Sequence, residues 1–125
     1  MARILIIDDE EAIRRPLSLL LMRAGHEVRT ACDGQEGLQL WREFGADLVI
    51  TDIFMPNKDG METMLELNTA APTLPVIAMS GGEVSQRLDV LGDARLLGAV
   101  RTIAKPFLLS EMLATIREVL TLEGG

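Results

Sequence analysis

Cysteine is nearly absent: Cys32 is the only one in 125 residues, so no internal disulfide can form, and the residue reads as a small, semi-buried side chain. Histidine is equally scarce. His26, the one copy, follows a helix-ending glycine and has no cysteine, histidine or acid at ligand spacing, so it reads as a surface residue. Basic residues are in deficit, with 12 Lys and Arg against 19 Asp and Glu and a formal net charge of −7, which disfavours attraction to nucleic-acid phosphates or anionic lipid. No nucleic acid is expected to be bound. Apolar runs are short, Leu19 to Met22 being typical, far from the roughly 20 residues needed to cross a bilayer. No membrane partner is expected. The opening MARILIID has no basic region followed by a long apolar stretch and cleavage site, and the chain reads as cytoplasmic.

What is present is the composition of an ordinary globular domain, 48% hydrophobic and 25% charged, in a chain long enough for one core and too short for two. Strand-like apolar runs alternate with stretches of helical spacing, the signature of a parallel sheet covered on both faces. The runs are Arg3 to Ile7, continuously apolar as a central strand should be; Glu27 to Ala31, alternating like an edge strand; Asp47 to Thr51; Val76 to Met79; and Val100 to Ala104. The helices predicted between them carry Ile13, Leu17, Leu20, Leu21 and Ala24 on the first and Leu38, Leu40, Trp41 and Phe44 on the second. The third runs from the loop at 53–60 to about Asn68, the fourth ends near Leu97, and the last begins at Leu109. The apolar face of the second reads as core, not as a cofactor site. Pro16 lies beyond the first turn of its helix, where it should remove a backbone bond and bend the axis. One domain over 1–122 is expected, with 123–125 a tail or linker remnant.

Four of the five strands end on polar residues: Asp8-Asp9, Asp52, Ser80 and Lys105. In an open parallel sheet the crevice lies at the carboxyl ends of the strands, so these sequence-distant positions converge. Singly, each has an ordinary reading: the acids could cap a helix or start a turn, and the lysine could be a solvated charge. Together, three carboxylates, a hydroxyl and an ammonium suit a hard divalent cation and a phosphate, with Mg²⁺ the natural ion because it takes oxygen ligands and keeps waters that substrate oxygens can replace.

The segments ILIIDDEEAIRR, VITDIFMP with a glycine four residues after the proline, MSG, and GAVRTIAKPF resemble the receiver domains of bacterial two-component response regulators, over essentially the whole chain. The resemblance implies a flavodoxin-like α/β/α sandwich, a five-stranded parallel sheet of order 2-1-3-4-5 with five helices. It implies Asp52 as phosphoacceptor, Asp9 as direct metal ligand, Asp8 as ligand mainly through water, and Phe54 as ligand through its carbonyl. Ser80 and Lys105 would contact phosphoryl oxygens. The phosphoryl donor would be a histidine kinase or histidine phosphotransfer protein, and the output altered binding to a downstream effector protein. The chain would be no enzyme beyond self-phosphorylation and autodephosphorylation, either standing alone or cut from a longer protein. The alternative of a small Mg²⁺-dependent phosphohydrolase with an aspartyl-phosphate intermediate lacks the D-x-D after the first strand and the cap of such enzymes. Two positions depart from the family pattern. Thr102 stands where an aromatic is usual, and Gly81-Gly82 follows Ser80, so coupling is expected through residues 80–84 and the fourth helix.

Overall fold

The computed structural model describes residues 2–53, 60–80 and 98–124. In chain order these form β1 (Arg3–Ile7), α1 (Glu11–Arg23), β2 (Glu27–Ala31), α2 (Gly34–Phe44), β3 (Leu48–Asp52), α3 (Gly60–Ala70), β4 (Val76–Ser80), β5 (Ala99–Ala104) and α4 (Leu109–Gly124). All strand pairs are parallel, in the order β2-β1-β3-β4-β5. The fold class and strand order are those expected. Four helices stand among the described residues, and the helix expected to end near Leu97 lies outside them. Small boundary differences separate expectation from structure: β3 begins at Leu48, β5 at Ala99, and α3 continues to Ala70.

Two apolar layers sandwich the sheet because successive residues of a strand point to opposite faces. Ile4 and Ile6 of β1, Leu48 and Ile50 of β3 and Ile77 of β4 meet Leu17 and Leu21 of α1 and Met112, Ile116 and Val119 of α4. Leu5, Ile7, Val49, Val76 and Ala78 face the other way, onto Leu38 of α2 and Met64 and Leu67 of α3, with Trp41 and Phe44 packed against them. Both faces of β1 are therefore consumed by packing, which is why its sequence does not alternate. The second helix contributes core, as its spacing implied.

Local chemistry sets the ends of the elements. The Asp33 side chain accepts from the Glu36 backbone N–H and caps α2, and Gly45, in the left-handed conformation at φ 69°, ends it. Pro16 sits inside α1, which is continuous from Glu11 to Arg23. The proline is exposed, as is Ala12, whose carbonyl loses its donor, so that oxygen can turn to water. Two minor expectations are corrected. Cys32 is exposed rather than semi-buried, because it lies in the turn after β2. His26 is half-buried, its Nδ1 accepting from the Ala2 backbone N–H at 3.1 Å across the start of the sheet.

Candidate functional site

The chain leaves β1 in one direction to make β2 and later returns on the other side to make β3. The crevice of an open α/β sheet forms at this switch in order, beyond the carboxyl ends of the strands. Asp8 follows the last residue of β1 and Asp52 is the last of β3. Lys105 follows β5 and reaches back across the strand ends.

Asp8 is fully buried and its main chain is held on both sides. Its N–H donates to Ala31 of β2 at 3.0 Å, and its carbonyl accepts from Arg14 Nη1 of α1 at 2.6 Å. Its Oδ1 accepts from the Glu10 backbone N–H at 2.9 Å. Its Oδ2 lies 2.7 Å from Lys105 Nζ, a charge contact without hydrogen-bond alignment, so this buried oxygen has no hydrogen-bond donor among the described residues. Asp52 is 6% exposed; Oδ1 accepts from the Ile53 N–H at 2.8 Å, and Oδ2 accepts from Lys105 Nζ at 3.1 Å. The Thr51 hydroxyl donates to the Asp52 carbonyl at 3.0 Å, steadying the residue from the strand side.

Burial raises the Asp8 carboxyl above the ordinary aspartate value, and the pull of Lys105 only partly offsets it. Asp52 is raised for the same reason, with Lys105 opposing and the Asp8 charge adding. Burial acts to lower Lys105, but its close contacts with the Asp8 and Asp52 carboxylates overcome it and hold the ammonium above the ordinary lysine value. One cation is shared by carboxylates that cannot all be satisfied.

Asp8, Asp9, Glu10 and Asp52 each offer an oxygen within 4.8 Å of the others. The buried Asp8 oxygen without a donor and this crowd of hard ligands fit a divalent cation. Of the residues expected at the site, Asp8, Asp9, Asp52 and Lys105 are brought together. Ser80 closes β4 with its backbone in register with Ala104, at the same end of the sheet. Phe54 lies outside the described residues. Glu10 was not expected. It lies 3.3 Å from Lys105 Nζ, and the signal that could have found it is a third acid directly after Asp8-Asp9 at a helix start. A cavity of about 1140 Å³ opens at the opposite end of the sheet, by Ala2, His26, Trp41, Pro75 and Arg117, and none of the acids line it save Asp47.

The family "Response regulator receiver domain" matches residues 4–117. The chain is 38% identical over 119 residues to "Response regulator MprA" of Mycolicibacterium vanbaalenii, covering 94% of this chain and 50% of that protein. It is 37% identical to the protein of the same name from Mycobacterium leprae over the same length. The chain thus spans about half the length of these curated relatives. Among solved structures, a response regulator receiver domain protein (CheY-like) from Methanospirillum hungatei JF-1 superposes with a TM-score of 0.92 at 28% identity, covering 99% of this chain and 97% of that one. NtrX from Brucella abortus superposes with a TM-score of 0.90 at 30% identity, over 98% of this chain and 27% of that one.

Proposed function

The chain belongs to the response regulator receiver domain family, the phosphoacceptors of phosphorelay signalling, and from that premise we propose that Asp52 is its acceptor. The observation that carries this reading is the Asp52 carboxylate itself, 6% exposed, 3.1 Å from Lys105 and ringed by Asp8, Asp9 and Glu10. In the proposed reaction an Asp52 oxygen forms a bond to phosphorus as the bond to the imidazole nitrogen of a phosphohistidine breaks, and that nitrogen keeps the electron pair. The donor is a histidine kinase or histidine phosphotransfer protein, and the phosphorylated domain signals by altered binding to a downstream effector.

The bonds made by Asp8 and Asp9 support the roles proposed for them. Asp9 is exposed and takes part in no hydrogen bond or ion pair among the described residues, so it can meet Mg²⁺ directly. Asp8 already serves the Glu10 N–H and Lys105, which suits a ligand acting mainly through water. Asp52, and the Phe54 carbonyl by the family resemblance alone, would complete the set. Mg²⁺ bound there supplies positive charge against the phosphoryl oxygens. Lys105 Nζ, drawn off the carboxylates, and the Ser80 hydroxyl hold the other oxygens, so that charge is met from three sides. The Ile53 N–H, fixed on Asp52 Oδ1, keeps the carboxylate from rotating.

Mass spectrometry after incubation with acetyl phosphate and Mg²⁺ tests the assignment. One phosphoryl group is expected on the wild type and none on Asp52→Asn. Labelling of Asp52→Asn, or an unlabelled wild type, would refute it.

A further inference from the structure

Glu10 is oddly placed for the position it holds. It is the residue before α1, where a short Ser, Thr, Asp or Asn would bond the free backbone donors, and its side chain makes no such bond. Its backbone is tied instead by its own N–H to Asp8 Oδ1, so the main chain there does not depend on the glutamate side chain. That side chain, 58% exposed, reaches Lys105 Nζ at 3.3 Å and adds a fourth carboxylate to the cluster.

Among the described residues these four carboxylates share one ammonium, a formal excess of three negative charges within the cluster, while the Arg14 guanidinium bonds the Asp8 carbonyl and none of the carboxylates. A divalent cation reduces the excess to one. Converting the Asp52 carboxylate into a dianionic acyl phosphate returns it to two. The Glu10 charge therefore helps the cation arrive and opposes the phosphoryl group that follows, and it also competes with the phosphoryl oxygens for the same ammonium.

Resting on the reading of Asp52 as acceptor, we propose that Glu10 is a positioning residue that acts through Lys105, strengthening metal binding and weakening retention of the phosphoryl anion. Its carboxylate keeps the ammonium over the acids until the cation engages Asp52, and then holds it back from the phosphoryl oxygens. Substitution to a neutral residue should shift the two equilibria in opposite directions, which loss of a merely structural residue cannot do.

The test uses wild type, Glu10→Gln, Glu10→Ala and Asp52→Asn. Amide chemical shifts of Asp9 and Ile53 report Mg²⁺ titrations, and beryllofluoride, which stands in for the phosphoryl group on a carboxylate, is then titrated at saturating Mg²⁺. For a charge about 5 Å away in a partly exposed, salt-screened site, both Glu10 variants should bind Mg²⁺ roughly three- to tenfold more weakly and beryllofluoride roughly two- to fivefold more tightly. Added salt should shrink both differences. If beryllofluoride binds the wild type but the Glu10 variants leave the constants unchanged, or move both the same way, the inference fails while the acceptor assignment stands. If beryllofluoride does not bind the wild type, or binds Asp52→Asn equally well, the acceptor assignment fails first and the inference with it.

Discussion

Replacing Lys105 with methionine removes an ammonium that contacts Asp8, Asp52 and Glu10 while keeping a side chain of similar length, so the loss is of charge more than of packing. Lys105 is 9% exposed, with its nitrogen 2.7, 3.1 and 3.3 Å from the three carboxylates. Unit charges about 3 Å apart attract by about 5 to 6 kcal/mol at an effective dielectric of about 20, and the cost of burying the ions offsets much of it. The upward displacement of Asp8 and Asp52 shows burial outweighing attraction at each of them. Without the ammonium, two nearly inaccessible carboxylates face each other. Removing one partner of a buried ion pair costs about 3 to 5 kcal/mol, and the lower end applies here because these carboxyls can take up protons. For a chain of this size the melting temperature should fall by about 10 °C in EDTA at neutral pH. A divalent cation on the same carboxylates replaces the missing charge, so millimolar Mg²⁺ should stabilise Lys105→Met by more than it stabilises the wild type. Urea unfolding followed by circular dichroism and by the fluorescence of Trp41, with and without Mg²⁺, measures both quantities. A variant within about 1 kcal/mol of wild type in EDTA, or equal Mg²⁺ gains in the two proteins, would show that Lys105 is not the counter-ion of these carboxylates.

The stability of the metal-free protein should depend on pH in two opposing ways. Asp8 and Asp52 are raised in the folded state, so their contribution is full below the ordinary value of 3.8 and is lost as pH rises through their folded values. His26 is lowered, by burial first and then by the chain's amino terminus and Arg117, so its contribution is present above 6.5 and lost as pH falls through its folded value. In His26→Gln the second effect is gone, and urea midpoints in EDTA should rise as the pH is lowered from neutrality toward 3.8 and flatten when Mg²⁺ is added; midpoints that fall steadily on acidification toward 3.8 would contradict the burial of the two acids. Gly37→Ala should destabilise by about 1 to 3 kcal/mol through overpacking, because its Cβ would run into Cδ1 and lie 2.8 Å from Cγ1 of the fully buried Ile7. A gain in the urea midpoint, as helix propensity alone would give, would refute that reasoning.

The layers of the fold were legible because each of its signals is local. Ile4 to Ile7 are apolar without alternation and are all fully buried, while Glu27 to Ala31 mix exposed and buried positions and form an edge. The strand order came from the resemblance, since apolar periodicity does not say which strand neighbours which. The convergence of Asp8, Asp9, Asp52 and Lys105 was legible from the position of each at a strand end. Partners joined only by tertiary structure were not. Glu10 and Lys105 are 95 residues apart, and nothing in DDEEA marks which acid meets the lysine. The sequence offers His26 no side-chain partner at ligand spacing, and its partner is a backbone N–H. Pro16 was expected to cost α1 a bond, and the structure adds that the freed Ala12 carbonyl is on the solvent side, where that cost is smallest.

The three donors of the Lys105 ammonium face Asp8, Asp52 and Glu10, so a phosphoryl oxygen would have to take the place of one of these carboxylates, and that exchange makes the resting arrangement part of the proposed mechanism. While Lys105 lies 2.7 Å from Asp8 Oδ2 and 3.1 Å from Asp52 Oδ2, it occupies an oxygen that both the cation and the phosphorus would need. Asp8, Asp9 and Asp52 would hold a divalent cation whose charge would replace that of the ammonium on Asp52 and leave Lys105 without two of its partners. The exposed Glu10 remains as the partner that the cation need not displace. A ligand shifts an equilibrium only by its different affinity for the two states, so the energy that moves Lys105 must come from this exchange of partners. An uncharged site would have no such difference to exploit. The unfavourable burial of Asp8 and Asp52 is then the cost of keeping the metal-free arrangement from competing too well with the loaded one.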